Sequence, residues 1–129
     1  MRLRLLMNLP RVSDAEWEVM KVIWRQEPCS AHEVVAALAS SKTWSVGTIK
    51  TLLNRLHSKG ALRFEKTGKS YLYRAVVTED RLRAAETESF VDRVFDGALS
   101  PMIAHFARAR KLSEQDFDEL ERILKRGRK

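Results

Sequence analysis

Within residues 44–60 (WSVGTIKTLLNRLHSKG), Thr48, Lys50, Thr51, Asn54 and Arg55 recur at spacings that bring them onto one side of a helix. Their hydroxyl, ammonium, amide and guanidinium groups are hydrogen-bond donors suited to phosphate oxygens or to the edges of bases. The chemistry they offer is recognition rather than bond-making. Ile49, Leu52, Leu53 and Leu56 fall on the opposite side, at the three-and-four spacing of a face turned to a core. Ser45 is a natural N-cap and Gly60 a natural residue just past the C-terminus, so both ends of this helix are punctuated. Ser45 and Val46, at its start, complete the candidate surface on this helix. The plain alternative is an ordinary amphipathic surface helix, and the flanking segments decide between the two.

Upstream, Ser13-Asp14-Ala15-Glu16 is a capping box, followed by a helical stripe of Trp17, Met20, Ile23 and Trp24 that must end before Pro28. Ser30-Ala31-His32-Glu33 is a second capping box, opening a short helix with Val34, Val35 and Leu38 inward. Residues 39–43 form a short polar connection to the two-faced helix, a helix-turn-helix arrangement. Trp17, Trp24 and Trp44 are expected in the core. After Gly60 the period becomes alternating: residues 61–66 and 70–76 read as two strands, joined by Thr67-Gly68-Lys69. A hairpin directly after such a helix is the layout of a winged helix. Lys66, Lys69 and Arg74 are then placed to reach a phosphate backbone. Tyr71 and Tyr73 share one strand face and are expected to pack on the helices rather than to stack on single-stranded bases.

The second half is helical again. Residues 79–97 carry Leu82, Phe90, Val91, Val94 and Phe95 in a stripe broken at Gly97. Ser100-Pro101 is expected to restart the helix as N-cap and first residue, with Met102, Ile103 and Phe106 following. Ser113 and Asp116 form a capping box with aspartate in the glutamate position, opening a last helix with Phe117, Leu120, Ile123 and Leu124. Three short helices with such stripes bury themselves poorly alone, and a second copy would cover them. The expected interface comprises Phe90, Val94, Phe106, Phe117, Leu120 and Leu124.

Charge follows the same division. Residues 1–78 hold 13 Lys/Arg against 6 Asp/Glu, and residues 79–129 hold 11 against 11, so the whole net charge of +7 lies in the first half. A basic half beside a neutral half points to polyanion contact in the former. The fold expected is mainly α: a winged helix-turn-helix domain over residues 1–78, three helices plus a hairpin wing, and a helical dimerisation region over residues 79–129. Residues 1–11 read as a candidate disordered arm. The single cysteine, Cys29, allows no intramolecular disulfide and fits a reducing cytoplasm. No run approaches the ~18 apolar residues of a membrane span, and the opening MRLRLLMNLP lacks a secretory cleavage site.

Other chemistries find little footing. Cys29 and His32 are three apart, but zinc and copper sites need three or four ligands, and only His57 and His105 remain as histidines. Cys29 reads instead as a partly buried small residue ahead of a cap. There is no recognisable catalytic constellation and no glycine-rich phosphate loop, so neither an enzyme nor a cofactor is expected.

Taken together, SDAEWEVMKVIW (13–24), WSVGTIKTLLNRLHSKGAL (44–62), YLYRAVV (71–77) and LSEQDFDEL (112–120) are specific, and the sequence resembles the BlaI/MecI family of penicillinase repressors over residues 12–124. The resemblance implies a dimeric winged-helix repressor that binds double-stranded DNA at a palindromic operator. Its recognition helix would enter the major groove, and its C-terminal helices would form the homodimer. In the best known members an integral-membrane sensor protease triggers cleavage between an asparagine and a phenylalanine. His105 and Phe106 stand at those positions, so the phenylalanine matches and the asparagine does not. Release by proteolysis near Phe106 is the expectation, with the basic Arg108, Arg110 and Lys111 just beyond. The paired CxC motifs of a copper-sensing branch are absent, and Gly47 stands where relatives often carry a larger polar residue. The alternative readings are a winged-helix protein-interaction module, or a ligand- or metal-responsive regulator without proteolytic induction.

Overall fold

The computed structural model describes residues 9–109 and 111–128. Most of the expected arm (residues 1–8) and Arg110 lie outside the described residues. The elements run α1 (Asp14–Arg25), α2 (Ala31–Leu38), α3 (Val46–Ser58), β1 (Leu62–Thr67), β2 (Ser70–Ala75), α4 (Glu79–Phe95), α5 (Leu99–Arg108) and α6 (Glu114–Gly127). Two compact units meet between Glu86 and Thr87, inside α4.

In the first unit the capping boxes set the starts of α1 and α2. Ser13 Oγ accepts from the Glu16 N–H and Ser30 Oγ from the Glu33 N–H, both at 3.2 Å, while each glutamate carboxylate accepts from its cap residue's N–H. These reciprocal bonds satisfy amide donors that a helix start otherwise leaves to water. The core joins Val19, Met20, Val22 and Ile23 of α1 to Val34 and Leu38 of α2, to the apolar face of α3, and to Leu62 and Tyr73 of the hairpin. Ile49, Leu52, Leu53 and Leu56 are all buried, as their spacing requires. Each such side chain gains ~1.5–3 kcal/mol from leaving water, which fixes the rotation of α3 about its own axis. Trp24 and Trp44 pack against this core, and the Trp24 indole N–H donates to the Val77 carbonyl at 3.0 Å. Trp17 departs from expectation: it is half-buried and stands outside the core cluster, its ring edge against Trp24 at 5.7 Å.

The hairpin is antiparallel, with Leu62 opposite Ala75, Phe64 opposite Tyr73 and Lys66 opposite Tyr71. Thr67 pairs with Ser70, so the turn is two residues, Gly68-Lys69, rather than the three expected, with Gly68 at φ 63°. That left-handed conformation is one a glycine adopts at no steric cost. Cys29 adds an antiparallel bridge on the other edge of β2: its N–H donates to the Tyr73 carbonyl at 3.1 Å and its carbonyl accepts from the Tyr73 N–H at 2.8 Å. Cys29 is fully buried by this pairing, not partly as expected. Tyr73 is buried too, whereas Tyr71 on the same face stays 45% exposed, because only the base of the hairpin reaches the core.

In the second unit α4 runs on to Phe95 and stops at two left-handed residues, Asp96 and Gly97. The next helix starts earlier than its Ser-Pro pair suggests. Ala98 is its N-cap with no side-chain cap bond, and Ser100 and Pro101 sit inside the first turn, where a missing proline N–H costs nothing. Ser113 and Asp116 form the expected capping box of α6. From Thr87 onward no described residue is buried.

Candidate nucleic-acid interface

The geometry of α3 is fixed at both ends. Ser45 Oγ accepts from the Thr48 N–H at 3.1 Å and lies 3.2 Å from Thr48 Oγ1. At the other end the Gly60 N–H donates to the His57 carbonyl and the Ala61 N–H to the Leu56 carbonyl, with Gly60 at φ 84°. These two bonds are the Schellman pattern, which turns the chain sharply out of the helix and into β1.

With its apolar face buried, α3 presents Thr48, Lys50, Thr51, Asn54 and Arg55 to solvent, all exposed, and Val46 half-exposed at the start. The hydroxyls are partly committed. One of the Ser45 and Thr48 hydroxyls donates to the other, leaving one free donor, and Thr51 Oγ1 donates to the Gly47 carbonyl at 3.1 Å. Threonine bound back to its own helix in this way still offers lone pairs and a methyl group outward. The polar side chains form two neighbouring rows, with members about one helical turn apart within each. Thr51, Arg55 and Ser58 line a shallow dish with Asn54 and Lys59. Lys50 and Asn54 line a groove with Lys69 and Tyr71 of the hairpin and with Ser30 and His32 at the start of α2.

The hairpin residues divide by face. Lys66 lies on the face of Phe64, Tyr71 and Tyr73, and Phe64 packs on His57 of α3 at 4.7 Å between ring centroids. Arg74 lies on the other face, 3.5 Å from Glu65, so it is not grouped with Lys66 and Lys69.

This chain matches the penicillinase repressor family over residues 12–126. It belongs to that family. It is 38% identical over 117 residues to the penicillinase repressor of Bacillus licheniformis, covering 91% of each chain. It is 33% identical over 113 residues to the methicillin resistance regulatory protein MecI of Staphylococcus aureus (strain N315), covering 88% of this chain and 92% of that one. Among solved structures, the solution structure of the DNA binding domain of the repressor BlaI aligns with a TM-score of 0.51 at 44% identity, covering 56% of this chain and 88% of that one. The winged helix-turn-helix architecture, mainly helical with one hairpin, is thus shared with repressors.

In this member of the family the second unit carries the remaining candidate residues. Phe90, Val94, Phe106, Phe117 and Leu124 are 36–63% exposed, with Leu120 half-buried. His105 is exposed on α5, its ring edge toward Phe106 at 5.8 Å. No helix among the described residues is long and apolar enough to cross a membrane.

Cys29 offers poor chemistry for a metal, because burial, with Glu33 adding, pushes its thiol up to about 11. A thiolate ligand would have to form against that. Among the described residues no three His, Cys, Asp or Glu side chains group as a metal cage.

Two features escaped the sequence reading. The first is the ion pair of Lys59, at the end of α3, with Glu16, which is 1% exposed in α1. The capping box marked Glu16 for local work only, and nothing in the spacing of residues 43 apart announces their contact. The second is the place of His32 in the groove beside Lys50 and Lys69. Only the pairing of Cys29 with Tyr73, which sets the hairpin beside the start of α2, brings these three to one groove.

Proposed function

We propose that this chain is a homodimeric transcriptional repressor that binds a palindromic operator in double-stranded DNA through α3. In this reading residues 1–78 bind DNA and residues 79–129 dimerise. The observation that carries it is the division of α3: four leucine and isoleucine side chains are buried, and opposite them stand the exposed polar side chains of Thr48, Lys50, Thr51, Asn54 and Arg55. A helix so held has the size and chemistry to enter a major groove. The DNA-contacting set is Ser45, Val46, Thr48, Lys50, Thr51, Asn54 and Arg55, with Lys66 and Lys69 on the wing as backbone contacts. Support comes from the positive balance of this half and from the names of the relatives, which are repressors or resistance regulators.

The dimer reading rests on the second unit, where large apolar side chains stay exposed on helices that bury nothing in one copy. A twofold dimer matches half-sites about one DNA turn apart. Release is proposed to follow proteolysis at His105-Phe106 by a membrane sensor protease, since separating the dimerisation region removes the intramolecular second contact and with it most of the affinity.

Gel-shift titration of Lys50→Ala and Arg55→Ala on promoter DNA and on a scrambled duplex tests the core of this proposal. Arg55→Ala should lose ~1–3 kcal/mol of base discrimination, while Lys50→Ala weakens both duplexes alike. Wild-type binding by both variants removes α3 from the reading role. Immunoblots of induced cells should show a fragment ending at His105, and intact repressor during derepression rules the cleavage route out.

A further inference from the structure

The groove between the start of α2, α3 and the hairpin has a volume of ≈ 460 Å³ and gathers Lys50, Lys69 and His32, one from each element. We infer that this groove seats one phosphate of the DNA backbone, and that His32 takes up a proton as its third cation, which makes DNA binding proton-linked. The inference rests on the DNA-binding reading and adds to it a residue of α2 that no spacing in the sequence marks.

The charges facing the groove are one-sided. Lys50 comes from α3 and Lys69 from the hairpin turn, while Tyr71 and Tyr73 contribute neutral hydroxyls and Asn54 an amide. The nearest carboxylate on α2, Glu33, is held by the Ser30 N–H at 2.9 Å within the capping box and does not line the groove. A cavity with two fixed cations and neutral donors favours an anion, and the anion that a DNA duplex carries is its backbone phosphate. Histidine is the side chain whose charge ordinarily changes between about pH 5 and 8, and an adjacent anion favours the protonated form. Binding and protonation therefore reinforce each other, and DNA binding strengthens as pH falls through that range.

Phosphate contacts are independent of sequence, so a short mixed-sequence duplex suffices as probe for the full chain. The measured quantity is the slope of log K against log salt at about pH 6 and about pH 8. Wild type should show a slope steeper by ~0.9 at the lower pH, one further counterion released. His32→Gln should show the same slope at both pH values, without the wild-type steepening. His57→Gln should retain the wild-type steepening, and Lys69→Ala should lower the slope by ~0.9 at both pH values. Steepening that persists in His32→Gln overturns the inference, as does a wild-type slope that does not change with pH. Absence of wild-type binding to any duplex overturns the DNA-binding reading itself, and is distinguishable from all of these.

Discussion

Lys59→Met tests whether the Glu16 pair holds α3 in place. Glu16 is 1% exposed, and its carboxylate accepts from Lys59 Nζ and from the Ser13 N–H at 2.8 Å. Removing the lysine leaves a buried carboxylate with Ser13 as its remaining partner. Breaking a fully buried pair costs ~3–5 kcal/mol, but the Lys59 side chain is 37% exposed, so water can reach the site and the cost falls to ~2 kcal/mol. Glu16→Gln keeps an acceptor for the cap and frees the lysine to hydrate, at ~1 kcal/mol. The double variant should be close to the milder single one, giving a coupling energy of ~1–2 kcal/mol. Burial alone would raise the Glu16 pKa, but the Lys59 bond, the Ser13 N–H and the lysine charge outweigh it and hold the carboxyl below 4.5. A depressed folded-state pKa means stability that is complete above the unfolded value and lost as pH falls through the folded one. Urea unfolding followed by tryptophan emission reports the first unit, since Trp17, Trp24 and Trp44 all precede Glu86. The midpoint should fall below pH 4.5 in wild type, and less steeply in Glu16→Gln. Equal midpoints for Lys59→Met and wild type near neutral pH, or an identical acid slope in Glu16→Gln, refute the pairing as a determinant of stability.

Three further variants probe the helix start, the wing and the second unit. A methyl group at Gly47 meets only Ser45 Oγ at 3.7 Å, so Gly47→Ala should stabilise the fold by ~0.5–1 kcal/mol in thermal unfolding, and a simultaneous loss of DNA affinity would show that the glycine admits close approach of the backbone. Lys66→Ala/Lys69→Ala should bind DNA more weakly while keeping its sequence preference in competition gel shifts, whereas unchanged affinity at physiological salt means that the hairpin points away from DNA. Leu120→Asp should sediment as a monomer, and a wild type already monomeric at micromolar concentration would dismiss the dimer.

The parts of the fold that were legible in the sequence are those that local physics decides. Serine at a cap with an acid three residues on makes the same two bonds wherever it occurs, and the starts of α1, α2 and α6 all obey it. The buried face of α3 was legible because a period near 3.6 admits one inward side. The misplaced start of α5 marks the limit of that reasoning. Ser100-Pro101 has the composition of a helix start, yet proline is tolerated anywhere in the first turn, so the pair bounds the start without fixing it. Trp17 marks another limit: a large apolar residue on the inward side of a helix reaches the core only where another element closes over it. What could not be read at all is contact across long separations, and there the candidate interface gains its detail. Glu16 reaches Lys59, and His32 shares a groove with Lys50 and Lys69, because the hydrophobic stripes force three helices and a hairpin onto one core. Apolar spacing thus dictates where the polar groups meet, while their own spacing in the chain says little. A substitution in the core that tilts α3 should therefore disturb recognition as much as the loss of a donor on its surface.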